Sequence, residues 1–506
     1  MSSTLTPPRR PGTAAAPVSA PGPHGSTAGG VSAAGVASAA TGRSAASLSA
    51  DTRSRAKNHR RRQTAADVMQ LLCVTSVAAS IALYLAYAGV ADFSSLQGTI
   101  NAVGIMAGLA GTDLILVMLV LAARVPWIDR TVGQDRAIAL HRALGKPALY
   151  LILAHGLLLT ISYAMLDQID VVGETLSLLS NSTELLLAYL GLGLLVLVVV
   201  TSIVAVRRRF AYEAWHLIHL LSYAAVLVAL PHQLSTGGVL AEGTLQRVYW
   251  IALYVAAFGL IVVYRFALPI IRSARHGLRV TSVETIAPGV VSIVMSGTKL
   301  ETLRVQGGQY AVWRFWSANT WWHAHPISFS AVPTANAIRI TVRDLGAGSA
   351  RISRVPVGTS VSIEGPYGVF TDRARTSPYL SVVTAGIGIT PVRAMLEHAS
   401  LRAGEASVLL RASDENGQYL WQEVAGISVS TGSSAFSMMG HRPAGTDTWM
   451  SESALRSGVT LETVFPHLHD SDLYICGPQA WADLVVQDAR RAGLAEKQIH
   501  LERFDS

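Results

Sequence analysis

Cysteine is nearly absent from this chain: Cys73 and Cys476 are the only two thiols in 506 residues. That excludes a disulfide framework and leaves too few thiolates for an iron–sulfur cluster. Charge is thin as well, at 14% of residues, where an ordinary soluble domain carries about 25%. Half of the chain is apolar and its mean hydropathy is +0.38, which excludes a wholly water-soluble protein. Acid is almost missing from residues 1–66, where nine Lys and Arg meet Asp51 alone. Those residues account for the whole net charge of +8, so no nucleic-acid footprint is expected elsewhere. Rich in Ala, Ser, Gly, Pro and Thr, residues 1–66 are expected to form a disordered cytoplasmic tail with no cleavable signal.

Long apolar runs are what the chain has instead. Stretches near 68–90, 100–123, 138–165, 184–206, 213–234 and 247–271 can each cross about 30 Å of hydrocarbon. Basic residues gather before the first (Arg60, Arg61, Arg62), after the second (Arg124, Arg130, Arg136) and after the fourth (Arg207, Arg208, Arg209). The loops at 91–99, 166–183 and 233–246 hold no Lys or Arg. Positive charge stays inside, so both termini are expected in the cytoplasm and the protein in the plasma (cytoplasmic) membrane. Residues 67–272 make one transmembrane domain by this reading.

Four histidines lie on these runs: His141 and His155, fourteen apart, and His219 and His232, thirteen apart. Burying an ionisable ring at lipid depth is costly unless it binds something. A fourteen-residue step leaves the two rings about 40° apart and about 21 Å along one helix, so one face can hold two stacked haems. The thirteen-residue step is about 140° off in an ideal helix, although Pro231 can rewind it. The expected pairs are His141 with His219 for an inner b-type haem and His155 with His232 for an outer one. Such histidines also serve helix contacts and proton paths.

Beyond Arg272 the pattern changes to short alternating apolar runs with Gly and Pro turns, read as an antiparallel β-barrel over 273–372. From Tyr379 it becomes strand, Gly-rich turn, helix and strand, a doubly wound α/β domain over 376–506. The turn Gly386-Ile387-Gly388-Ile389-Thr390-Pro391 lets backbone approach a pyrophosphate at a helix N-terminus. A second turn, Cys476-Gly477-Pro478, ends a later strand. Arg411, at a strand end, is placed to meet a 2′-phosphate, a mild preference for NADPH over NADH. Residues 429–457, rich in Ser, Gly and Thr, read as a long loop.

With these motifs, residues 68–504 resemble the transmembrane ferric reductase and NADPH oxidase family, whose soluble part is of the ferredoxin–NADP reductase type. The family's flavin motif, His-Pro-Phe-Ser/Thr, is similar to His325-Pro326-Ile327-Ser328. The resemblance implies FAD, with Ser328 at the flavin ring and His325 and Pro326 holding the cofactor. It sets Arg343, Gly346, Gly348 and Ser349 on the pyrophosphate. Gly386, Gly388, Thr390 and Pro391 form its nucleotide loop, and Cys476, Gly477 and Pro478 its turn beside the nicotinamide. Gly365-Pro366-Tyr367-Gly368 resembles the joint between the two soluble domains. Phe504 stands for the aromatic that stacks on the flavin, with Asp505 and Ser506 extending beyond it. His219 rather than His216 is implied as inner ligand by its spacing to His232.

The implied activity is that of an NAD(P)H-dependent membrane oxidoreductase, moving electrons through FAD and two haems to an acceptor outside: ferric iron, another oxidised metal, or oxygen. Asp167, Asp170 and Glu174 in an outer loop suit a ferric complex. An anchored NAD(P)H:flavin reductase without functional haem is the alternative, and a non-enzymatic redox sensor a third. Oligomeric state is not readable from the sequence.

Overall fold

The computed structural model describes residues 32–33, 45–88, 90–210, 212–235 and 238–504. Its helical part runs α1 (Ala45–Ala88), α2 (Leu96–Ala122), α3 (Pro126–Val132), α4 (Gln134–Asp167), α5 (Val171–Asn181), α6 (Thr183–Ser202), α7 (Val204–Arg207), α8 (Tyr212–Ser235), α9 (Leu245–Ile261) and α10 (Leu268–His276). A π turn, Val262–Ala267, joins the last two. Among the described residues six helical stretches are long and apolar enough to cross a membrane: Ser54–Ala88, Leu96–Ala122, Arg136–Asp167, Thr183–Ser202, Ala214–Ser235 and Leu245–His276.

Two expectations are corrected here. The tail of 1–66 is helical from Ala45, because the chain carries no Gly or Pro after Gly42 until Gly89 and is rich in Ala and Arg; residues 1–31 and 34–44 lie outside the described residues. The outer loop of 166–183 is mostly α5, which starts where the Asp170 carboxylate accepts from the Val172 and Gly173 amides at 2.9 Å each. Asp170 is therefore a helix cap, and Glu174 is buried.

Small residues set the helix spacing. A Cβ on Gly104, Gly108 or Gly111 of α2 would lie within 3.0 Å of α4 side chains, and one on Gly191 of α6 would meet the Ala225 carbonyl of α8 at 2.8 Å. Close backbone approach of this kind gives lipid-embedded helices their packing energy.

The expected barrel consists of two open three-stranded antiparallel sheets. One has β2 (Arg279–Ala287), β3 (Val290–Ser296) and β6 (Ala337–Arg343); the other has β5 (His325–Ser328), β4 (Tyr310–Phe315) and β7 (Val361–Tyr367). They share one core, in which Trp313, Phe315, Phe329, Ile293, Ile340 and Ile363 are buried. Between them run only the isolated bridges Arg279–Ser360 and Phe329–Ile340 among the described residues. The physical reason lies in β5: four residues long and carrying Pro326, it lacks a donor and stays an edge strand.

The last domain is doubly wound, as expected. Parallel strands stand in the order β10 (Ser434–Met439), β9 (Ala406–Ala412), β8 (Tyr379–Ala385), β11 (Ser471–Pro478), β12 (Ile499–Phe504), and β1 (Ser32–Ala33) pairs antiparallel with β10. The short α11 (Ala347–Ile352) precedes this domain; α12 (Ile389–His398), α13 (Trp421–Thr431), α14 (Glu452–Arg456), α15 (Leu461–Val464) and α16 (Gln479–Arg491) cover the sheet. Val392 and Val424 pack on one core, Ala482 and Val485 on the other. The region 429–457 is thus not a loop throughout: Ala435, Phe436 and Met438 build a strand on β9. Order reverses between β8 and β11, the switch point at which α/β sheets bind ligands.

Candidate functional site

His141 and His155 ride on α4, His219 and His232 on α8. The helices bring them together as two pairs: ring centroids lie 6.0 Å apart for His141 and His219 and 6.4 Å for His155 and His232. The thirteen-residue step therefore leaves both rings of α8 opposite partners, with Pro231 inside the helix. His141 Nδ1 lies 3.1 Å from the Met118 carbonyl and His155 Nδ1 2.9 Å from that of Gly104. With Nδ1 donating to backbone, each of these rings offers Nε2, the arrangement metal-binding histidines use. Trp215 stacks on His219 at 5.1 Å, and Ser202 Oγ is 3.3 Å from its Nδ1. His155 sits over Gly108, whose added Cβ would fall 2.4 Å from Nδ1. A partly open cavity adjoins His155 and His232, with apolar walls such as Leu159 and Leu192.

This donor set fits haem. Two imidazoles on opposite sides of one iron, at about 2 Å each, have centroids about 6 Å apart. Among the described residues no group of three or more His, Cys, Asp or Glu can hold a metal ion unaided. A histidine pair completes a coordination sphere when a macrocycle supplies the equatorial ligands. Asp113, which sequence reasoning passed over, is buried in α2 and accepts from Ser76 Oγ at 2.9 Å. A carboxylate inside a membrane span was the available signal.

The flavin-motif residues lie along the open edge of β5. A Cβ on Gly348 would be 3.0 Å from His325 Cε1, so the motif and the glycine turn adjoin. Burial, with His323 and Arg314 nearby, lowers the His325 pKa to about 4 and keeps the ring neutral. Pro326 is exposed and Ser328 buried. Ser349 Oγ accepts from the Leu345 and Gly346 amides at 2.8 and 3.1 Å, shaping the turn before α11. Arg343 reaches the nucleotide loop: its Nη1 would lie 3.6 Å from a Cβ on Gly386, and its guanidinium is 5.8 Å from the Tyr419 ring.

At the switch point the two turns interlock. A Cβ on Gly388 would fall 2.3 Å from the Cys476 carbonyl, and Thr384 Oγ1 donates to the same oxygen at 3.1 Å. Thr390 Oγ1 donates to Ile387 O at 3.0 Å, while Pro391 is buried in α12. The Cys476 side chain is fully buried, and that burial pushes its thiol well above the ordinary range. Gly477 packs under Trp481; exposed Pro478 is in register with Phe504, whose side chain lies outside the described residues. Arg411, at the end of β9, is buried and donates through Nη1 to Ala412 O.

One cluster had no sequence signal. Glu364 Oε1 accepts from Arg124 Nη1 at 3.0 Å, Arg265 Nη1 at 2.8 Å and Tyr367 OH at 3.1 Å. Arg272 donates to Gly365 O, and the Gly368 amide approaches Asp129 Oδ2 at 3.3 Å. The joint of the soluble domains is thereby fastened to the helical part. Burial and the Glu364 carboxylate push the Tyr367 hydroxyl above its usual pKa.

Residues 107–230 match the family described as "Ferric reductase like transmembrane component". Ferredoxin–NADP reductase B of Sorangium cellulosum (strain So ce56) is 32% identical over 185 residues, which cover 33% of this chain and 71% of that protein. A flavohemoprotein of Vibrio cholerae serotype O1 is 26% identical over 186 residues, 35% of this chain and 45% of that relative, so the chain spans less than half of it. Among solved structures, the flavohem-like FAD/NAD-binding domain of nitric oxide dioxygenase from Vibrio cholerae O1 biovar El Tor aligns with TM-score 0.37 and 22% identity, covering 45% of this chain and 98% of that one.

Proposed function

Since the chain belongs to the ferredoxin–NADP reductase family, carries a ferric reductase-like transmembrane component and is a multi-pass, NAD(P)H-dependent FAD oxidoreductase, we propose that it delivers electrons from cytoplasmic NAD(P)H to an acceptor on the outer face of the plasma membrane. Ferric iron or another oxidised metal is the favoured acceptor, with oxygen as the competing one. The observation that supports this is the pairing of the four histidines across α4 and α8, at 6.0 and 6.4 Å.

When bound, FAD would convert the two electrons of a hydride into the single electrons that haem iron takes. His141 and His219 would hold an inner haem, His155 and His232 an outer one. The protein's own part is positional. His325, Pro326, Ser328, Arg343, Gly346, Gly348 and Ser349 would hold FAD along the open edge of β5. Gly386, Gly388, Thr390 and Pro391 would seat the nucleotide pyrophosphate at the start of α12, and Cys476 to Pro478, with Phe504, would border the nicotinamide. Arg411 would meet the 2′-phosphate of NADPH only by turning out from its buried contact with Ala412 O. No side-chain acid or base is needed for hydride transfer, and His325 stays neutral. On this reading both termini are cytoplasmic, the side on which the arginines gather.

The test is an anaerobic visible spectrum of purified FAD-loaded protein before and after NADPH or NADH. Expected is reduction of a six-coordinate b-type haem band, lost in His155→Ala and His219→Ala. Bleaching of flavin with no haem band at all would replace this reading with that of an anchored reductase serving a separate partner.

A further inference from the structure

At the domain junction a partly open cavity is lined by Arg62, Arg130, Arg304, Arg373, His398 and Gln309. All three parts of the chain contribute: Arg62 from α1, Arg130 from α3, Arg304 from the segment before β4, and Arg373 and His398 from the nucleotide side. Helix α12 leads from Gly388 to His398, so the cavity lies about 14 Å from the nucleotide loop.

Among the described residues no Asp or Glu lines this cavity, although Asp129 lies against its wall, where the Gly368 amide approaches its carboxylate at 3.3 Å. Among the described residues none of the four guanidinium groups has a carboxylate partner. The nearby acid Asp372 is engaged by Arg375 at 3.0 Å. Arg373 is aimed by a neutral group: the Gln306 amide oxygen, turned to face it, accepts from Nε at 3.2 Å and Nη1 at 2.8 Å. That contact orients the charge without cancelling it.

Four like charges around one cavity repel, and arginine cannot relieve the repulsion by losing a proton. Arg130, Arg304 and Arg373 are exposed and Arg62 is half-buried, so water screens part of that repulsion; a bound anion relieves the rest, and the guanidinium fork matches phosphate oxygens. Arg62 precedes the apolar part of the first span and Arg130 lies between the second and third, so the cavity sits at the membrane surface. We propose that it binds a phosphate-bearing polyanion, which ties the membrane helices, the flavin domain and the nucleotide domain together. The proposal goes beyond the redox reading and stands without it.

The test uses full-length, FAD-loaded protein and its Arg304→Gln/Arg373→Gln double variant, neither residue being part of the redox site. Unchanged NAD(P)H–ferricyanide turnover shows that the variant folds; if it does not, Arg130→Gln on the exposed side of α3 replaces it. Inorganic pyrophosphate is titrated by calorimetry in neutral detergent. In parallel, thermal unfolding is compared in nanodiscs of phosphatidylcholine with and without phosphatidic acid. Stoichiometric pyrophosphate binding that weakens about tenfold or more in the variant supports the proposal with a soluble ligand. Stabilisation by phosphatidic acid alone, lost in the variant, supports it with a lipid headgroup. Neither effect in the parent, or equal effects in parent and variant, overturns it.

Discussion

Glu364→Gln removes one charge at the point where the membrane helices hold the flavin domain. The carboxylate oxygen receives two guanidinium groups at 3.0 and 2.8 Å and a hydroxyl at 3.1 Å. The side chains of Glu364, Arg124 and Arg265 are 18%, 24% and 28% exposed, so solvent screens part of each contact. A charge-assisted hydrogen bond in that setting contributes about 1 kcal/mol, and the two arginines repel once the carboxylate is gone. The sum, about 2 kcal/mol, shifts the balance between docked and undocked flavin domain about 30-fold. Two rates on the same full-length protein separate docking from chemistry. NAD(P)H–ferricyanide turnover uses the soluble domains alone and should match the parent. Stopped-flow reduction of the haem band by NAD(P)H needs the docked state and should slow about tenfold or more. Arg124→Gln/Arg265→Gln should reproduce the effect rather than add to it, because both act through one carboxylate. If both rates fall together, or neither changes, the fastening role is wrong.

Gly108→Ala places a Cβ 2.4 Å from His155 Nδ1, and the ring has to move about 1 Å to restore van der Waals contact; the haem-to-protein ratio should drop by about half, and an unaltered spectrum rejects the claim that His155 carries the outer group. Gly388→Ala meets the Cys476 backbone at 2.3 Å, where nothing flexible can yield; KM for NAD(P)H should rise about tenfold or more while bound FAD stays constant, the cost of overpacking being about 1–3 kcal/mol. The His325 pKa falls from 6.5 to about 4 in the folded chain, so the unfolded chain binds more protons between those values. Stability due to this ring is therefore present above pH 6.5 and lost as pH falls toward 4. Thermal unfolding at pH 7.5 and pH 5 should differ less in His325→Gln than in the parent; an equal difference would show that other groups set the dependence.

The helices were legible because a membrane span announces itself in one apolar run, and the histidine pairs because a step of fourteen residues has one geometric meaning. The step of thirteen was misfitted by an ideal helix, yet both α8 rings face partners on α4. The flavin sheets were legible as strands but not as an open pair, because closure depends on what β5 with Pro326 leaves unpaired on its edge. Residues 45–66 were lost to composition, since Ala, Ser and Thr read as a tail although the lack of Gly or Pro decides otherwise; residues 171–181 were lost to an outer-loop reading although the Asp170 cap starts a helix there. The Glu364 cluster was not legible at all, since Arg124 and Glu364 are 240 positions apart and no periodicity links them.

Helix α1 is 44 residues long, about 66 Å, roughly twice the hydrocarbon thickness of a bilayer. Near its N-terminal end Arg55 meets the buried Glu405 of the nucleotide domain at 3.3 Å, beside Arg375. Arg55 stands 21 residues from Ser76, which lies mid-span, and so has a lever arm of about 32 Å. A change in tilt of about 5°, the kind a thicker or thinner bilayer imposes, sweeps Arg55 through about 3 Å. That displacement equals the whole reach of the ion pair. Bilayer thickness is thereby converted into mechanical load on the domain that receives the nucleotide.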